Sequence, residues 1–399
     1  MKKSGWIAPL SVLGAVAYAV LCGTAATAQE TNFADLASKI VKTSAQVKPG
    51  DAVMIFGGKH NMEFMEALAI EARKQGGMVS MIFDTDKYER AVYTEVPDKY
   101  LDQPETYLAE WIKHTNVYIG LPNVEDSKAV FGDVSQEKFA RTSKAGQVVT
   151  DTLNSSGLRA VFLGYPSQSD AAVYQLDFAT YQKVFWDAMG ADLEKISQDG
   201  NRLKQMLQGA KTVRVTSPAG TDFTFSVANR PVFVDDGMMT DERTKSTSFL
   251  TRTVSMPGGT VFVSPIETSA NGKVVVPRDQ CQFKPLTEES FEFRQGQIQN
   301  YKAASGGQCY LDTIAPFDGP KDVFGFFQIG LNPGARVIEN PGDYRPGNAA
   351  GLVSIAVGDN VLLGGNNKVM GGGGFGFPIV DATVTIDGKT VVQNGKLTF

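Results

Sequence analysis

Histidine is almost missing from these 399 residues: there are 2, His60 and His114, both in the N-terminal half. The C-terminal half therefore lacks the ligand type that catalytic zinc centres commonly use, and the base of a Ser-His-Asp arrangement. No Gly-x-Ser-x-Gly elbow occurs, and no spaced acidic loop of the kind that binds calcium. Basic charge is in deficit, with 38 Lys and Arg against 43 Asp and Glu, a poor balance for a nucleic-acid partner. Cysteine is scarce, with 3 residues, and beyond residue 28 no apolar run is long enough to span a bilayer.

What is present is an ordinary globular composition, 42% hydrophobic and 20% charged, with length enough for two domains. The N-terminus reads as a secretory signal: Lys2 and Lys3, an apolar run from Trp6 to Cys22, and small residues Ala26-Thr27-Ala28 before Gln29. The expectation is a signal peptide over 1–28, a periplasmic or secreted protein, and no membrane attachment after cleavage. Lipid on Cys22 is a lesser alternative because Leu21 is bulky for the preceding position; an uncleaved anchor is another. Cleavage would leave Cys281 and Cys309, which in an oxidising compartment are expected to form one disulfide.

From residue 32 the spacing predicts a helix over 32–47, a strand over 52–56, a helix through Met62, Met65, Leu68 and Ala72, and a strand over 78–83. Further helix over 107–113 and strands over 117–120 and 159–164 continue the alternation, so residues 29–209 are expected to form a parallel-sheet α/β domain. His60 follows a Gly-Gly turn at a strand's carboxyl end, where such sheets bind ligands, and is a candidate binding residue. The turn matches neither a P-loop nor a dinucleotide fingerprint. His114 reads as a surface or helix-capping residue.

A helix over 187–207 leads out of this part, and residues 210–399 are expected to form a β-rich domain. Residues 256–276, MPGGTVFVSPIETSANGKVVV, read as a hairpin-like unit: a Pro-Gly-Gly turn, a strand over 260–263, an Asn271-Gly272 turn and a strand over 273–276. Asp235-Asp236 and Asp241-Glu242 read as solvated turns.

Several motifs in order, GTDFTFSV and NRPVFVDDG within 220–237, PGGTVFVSP at 257–265, NGKVVV at 271–276, FQIGLNP at 327–333, SIAVGDN at 354–360 and IDGKTVVQNGK at 386–396, resemble the aminopeptidase T family of dinuclear metallo-aminopeptidases. The resemblance implies an N-terminal α/β domain, a β-rich C-terminal domain, a cleft between them, a homodimer, and two divalent metal ions such as zinc or cobalt. It also implies five ligands: a Glu after the Pro-Gly-Gly turn, a Glu before the IGxNP motif, a His before the IALG-like strand, and a His-x-Asp before the last DGK. Here those positions read Thr260, Phe326, Ser354, Gly374 and Gly376. The glycine run places the last pair to within about two residues, and no nearby register supplies a His-x-Asp.

The expectation is an exported protein of this fold with a vestigial metallopeptidase cleft and no metal cofactor. It would serve as a binding or interaction protein for a small molecule or peptide, with Phe326 and Phe377 making the cleft apolar and the Gly371–Gly376 run acting as a lid, a close-approach segment or a plain loop. Two alternatives stay open: a metal-dependent aminopeptidase with other ligands, and a metal-free enzyme acting on a small aromatic molecule in the same cleft.

Overall fold

The computed structural model describes residues 32–281, 284–340, 342–369 and 373–399. The expected signal segment, Cys22 and the start of the glycine run (Gly371 and Gly372) lie outside the described residues. Residues 32–399 form one compact unit.

Its N-terminal part is a parallel sheet. In spatial order the strands are Met78–Asp84, Ala52–Gly58, Val117–Gly120, Arg159–Leu163 and Thr253–Met256. Val53, Met54 and Ile55 are all buried, because helices cover both faces of a parallel sheet and remove the in-out alternation. One covering helix, Met62–Lys74, buries Phe64, Met65, Leu68 and Ala72 as a single stripe. Another begins at Asn32, whose side chain accepts from the N–H groups of Ala34 and Asp35, and runs as Phe33–Lys39 into a wider turn at Ile40–Ser44.

The helix predicted over 187–207 is two. Phe178–Met189 ends at Gly190, and Leu193–Leu207 starts afresh because the Asp192 carboxylate caps the N–H groups of Glu194 and Lys195. The edge strand Thr253–Met256 comes from far along the chain. Buried Arg252 anchors it, donating from Nε to the Leu158 carbonyl at 3.0 Å.

The C-terminal part is two antiparallel sheets packed face to face. One has eight strands, ordered Gln297–Lys302, Lys284–Arg294, Asn271–Cys281, Asp222–Phe225, Val213–Thr216, Thr383–Ile386, Lys389–Gln393 and Lys396–Leu397. The other has five: Gly374–Ile379, Val353–Gly358, Phe324–Gly330, Thr260–Val263 and Val232–Asp235. Aromatic rings fill the space between them, with centroids 5.0 Å apart for Phe225–Phe324 and Phe293–Phe324 and 4.8 Å for Phe291–Phe377.

This arrangement corrects the hairpin expected over 256–276. Thr260–Val263 pairs with Phe324–Gly330 and Val232–Asp235, whereas Asn271–Cys281 pairs with Lys284–Arg294 and Asp222–Phe225 in the other sheet. A 3₁₀ turn at Glu267–Ser269 carries the chain from one sheet to the other. Asn271-Gly272 is not a turn but the start of the second strand. Gly272, at φ +126°, lets the backbone of Phe223 approach to where a side chain would stand. Cys281, ending that strand, is disulfide-bonded to Cys309 in the helix Gly307–Ile314.

Candidate functional site

The two-residue period of a strand decides which side chains share the cleft face of the five-stranded sheet. Gln328 stands opposite Phe262 on one side and Ser354 on the other; Gly330 faces Thr260, Phe326 faces Ala356, and Gly376 and Gly374 face Ala356 and Gly358. All five positions read from the family motifs therefore lie on one face of one sheet. Two cavities open there. The larger, about 870 Å³, takes Thr260, Phe262, Phe326 and Gln328 into its floor. The smaller, about 530 Å³, includes Ser354, Gly376 and Asp279. They adjoin where Gln328 Nε2 donates to the Gly347 carbonyl at 2.8 Å, Gln328 lining one and Gly347 the other.

The motif glycines shape the rim. Gly259, at φ +117°, lies so close to Asn332 that an added Cβ would sit 2.7 Å from the Asn332 Cβ, and one at Gly258 would sit 2.7 Å from the Gly237 nitrogen. Fully buried Asn332 locks the turn. Its Nδ2 donates to the carbonyls of Ala188 (3.0 Å) and Gly258 (2.8 Å), and its Oδ1 accepts from the N–H groups of Gly334 (2.9 Å) and Ala335 (3.2 Å). The Pro-Gly-Gly and Asn-Pro motifs are thus scaffold for the cleft rim.

The floor of the larger cavity is an aromatic ladder across three neighbouring strands. Phe233 stacks on Phe262 at 5.5 Å and 16°, and Phe262 meets Phe326 at 5.9 Å and 34°. Its polar wall is largely self-satisfied. Arg243 pairs with Asp236 at 3.1 Å and donates to the carbonyls of Thr251 (2.9 Å), Met238 (2.7 Å) and Thr253 (2.7 Å). Asp235 accepts twice from the Ser255 N–H, at 3.0 and 3.2 Å, yet burial pushes its carboxyl above the usual range. Asp235 and Asp236 are therefore held in the fold rather than solvated as the sequence suggested; Asp241 and Glu242 are exposed as expected. Along the wall, the helix Leu193–Leu207 presents Ser197, Asn201 and Lys204 as one stripe.

These residues do not fit a pair of divalent metal ions. A hydroxyl at Thr260 and another at Ser354 are poor ligands for zinc or cobalt, Phe326 has no lone pair, and Gly374 and Gly376 have no side chain. Nor is the backbone shaped for all five ligands: a Cβ on Gly374 would sit 2.5 Å from the Val357 carbonyl oxygen, although Gly376 has room, its nearest neighbour being the Ile355 carbonyl at 3.8 Å. Among the described residues no group of three or more His, Cys, Asp or Glu is placed to hold a metal ion.

Phe377 borders the smaller cavity, but its ring is fully buried and packs against Phe291 and Tyr310 in the core. Gly374 and Gly376 belong to a paired strand, not to a lid or loop. His60 is half-buried at the mouth of the parallel sheet, edge-on to Tyr165 at 5.7 Å, and lines neither cavity. Burial pushes its imidazole down, opposed by the carboxylates of Glu125, Asp86 and Asp170. His114 is exposed at the end of the helix Thr106–Lys113.

The profile of a family described as thermophilic metalloprotease (M29) matches residues 29–321. Among solved structures, wild-type AmpT from Thermus thermophilus is 15% identical, with a TM-score of 0.67 over 92% of this chain and 99% of that one. The 2,5-dihydroxypyridine dioxygenase from Pseudomonas putida KT2440 is 14% identical, with a TM-score of 0.58 over 92% and 96%. No protein of curated function matches. At these identities the structures establish the fold, a parallel α/β sheet joined to antiparallel β-sheets as in AmpT. The match over residues 29–321 places this chain in the thermophilic metalloprotease family, although its cleft lacks the ligand set that the family's motifs lead one to expect.

Proposed function

We propose that this protein is an exported, non-peptidase member of its family whose cleft binds a small aromatic molecule without metal. One observation carries the reading. Where the motif pattern calls for a carboxylate, Phe326 extends the Phe233–Phe262 stack into a row of three rings, and that row lines a cavity of about 870 Å³. A volume of this order suits a small ligand, and stacked rings favour a flat one. Dinuclear peptide hydrolysis needs metal ions to polarise the carbonyl and generate hydroxide, and among the described residues no group of three or more His, Cys, Asp or Glu is placed to hold one.

The test combines elemental analysis of protein purified without chelator, an aminopeptidase assay with added zinc, cobalt or manganese, and calorimetric titration with neutral single-ring aromatics. The expected result is no stoichiometric metal, no release of N-terminal residues, and saturable aromatic binding that Phe262→Ala weakens. About two metal ions per chain together with turnover abolished by chelator would overturn the reading. Intact mass of the exported protein should begin at Gln29; a mass that retains Met1 would refute the export part.

A second reading, metal-free turnover of the same kind of ligand, is favoured by Asp279. Burial pushes its carboxyl up to about 6, and it lines the smaller cavity with Ser354, where it has the protonation range of a general acid or base near neutral pH.

A further inference from the structure

Resting on the aromatic-binding reading of the same cavity, we infer that the ligand is a single-ring aromatic monocarboxylate whose acid group pairs with Lys204. The floor selects a ring, and the walls select its charge.

The charged groups lining this cavity are Lys204, Asp235, Asp236, Glu242 and Arg243. Three of them are already engaged. Arg243 is committed to Asp236 and to three backbone carbonyls. Asp236 also accepts from the Met238 N–H at 3.0 Å, and Asp235 is held by the Ser255 N–H. Lys204 is different. It is half-buried, and among the described residues its ammonium has neither an ion pair nor a hydrogen bond. Its neighbours along the stripe, Ser197 and Asn201, are neutral and bond to each other at 3.4 Å. An ammonium with no internal partner gains from an anionic one, and a charge-assisted hydrogen bond is stronger than a neutral one.

Glu242 limits what that anion is. It is the other charged lining group without a partner among the described residues, but it is exposed, and it disfavours a second negative charge in the same cavity. One negative charge answers Lys204; a dianion such as a phosphate monoester would meet Glu242 as well. Lysine presents a point charge rather than a bidentate fork, which suits one carboxylate attached to a ring whose orientation the aromatic floor already fixes.

Benzoate, benzamide and benzylamine share a ring and differ in charge, so titrating each into the full chain at low and at moderate salt separates the two selections. The expected outcome is benzoate at least tenfold tighter than benzamide, with benzylamine weakest, and a benzoate preference that shrinks with added salt. Lys204→Met should bring benzoate and benzamide to within about twofold of each other, and Lys204→Arg should restore most of the gap. Equal binding of benzoate and benzamide by the unaltered protein overturns this inference while the aromatic reading stands. Preference for benzylamine overturns it in favour of Glu242 as the selecting group. Failure of all three to bind overturns the aromatic reading and the inference together.

Discussion

Replacing Asn332 by Ala removes the side chain that locks the cleft rim and little else. The Cβ that packs against Gly259 is kept, so the substitution tests hydrogen bonding rather than shape. The four bonds are not equal. The carbonyls of Ala188 and Gly258 keep second donors, the Ala191 N–H at 3.4 Å and Asn348 Nδ2 at 3.3 Å, so each loses roughly 0.5 to 1 kcal/mol. The Gly334 and Ala335 N–H groups lose their acceptor, and Ala335 is buried, which costs about 1 to 3 kcal/mol for that group alone. With the small void left by the amide, the loss comes to about 4 kcal/mol. The measurement is the urea midpoint and slope of each protein, compared at constant pH. Asn332→Asp is the informative companion. It keeps both acceptor bonds but sets a carboxylate against two carbonyl oxygens, so its penalty is large at neutral pH and shrinks as acid protonates it. A loss below 1 kcal/mol for Asn332→Ala, at unchanged slope, would refute the claim that this residue holds the rim.

Glu289 is fully buried, accepts from the Tyr301 hydroxyl at 2.8 Å, and is pushed up to about 7 by burial. The folded state then holds this proton more tightly than the unfolded chain, so stability falls as pH rises from about 4.5 to 7, by on the order of 3 kcal/mol, and is flat above. Glu289→Gln should remove that slope in denaturation curves taken across the window; parallel curves for the two proteins would contradict it. Gly374→Ala should cost about 2 kcal/mol because its Cβ meets the Val357 carbonyl, whereas Gly376→Ala should stay within about 0.5 kcal/mol of the parent. Equal costs in thermal or chemical unfolding would refute the difference in backbone shape.

The local elements were legible because local pattern determines them. The strands at Ala52–Gly58 and Val117–Gly120 and the helix Met62–Lys74 lie close to where periodicity and Gly stops put them. Partner choice was not. An Asn-Gly pair between two apolar runs is a strong hairpin signal, yet the strand beginning at Asn271 is long enough to pair elsewhere, and Gly272 serves close approach instead. The five positions read from motif order share one face of one sheet, as the two-residue period of its strands dictates. Phe377 borders the smaller cavity, yet its ring packs in the core, because one step from Gly376 along a strand reverses the face on which the side chain stands. Phe262 was within reach of the same rule, two residues beyond Thr260. Lys204 was not, because only tertiary packing brings its helix beside the sheet.

The late strand Thr253–Met256 sets an order on how this chain is made. The strand Arg159–Leu163 receives its outer neighbour only through pairs such as Ala160 with Thr253, so its edge stays open while the intervening residues are synthesised. Such a long-range closure folds slowly, and an unpaired strand edge is a template for other chains. A polypeptide that ends before residue 253 would carry an incomplete sheet, with the edge of Arg159–Leu163 open to pairing with other chains.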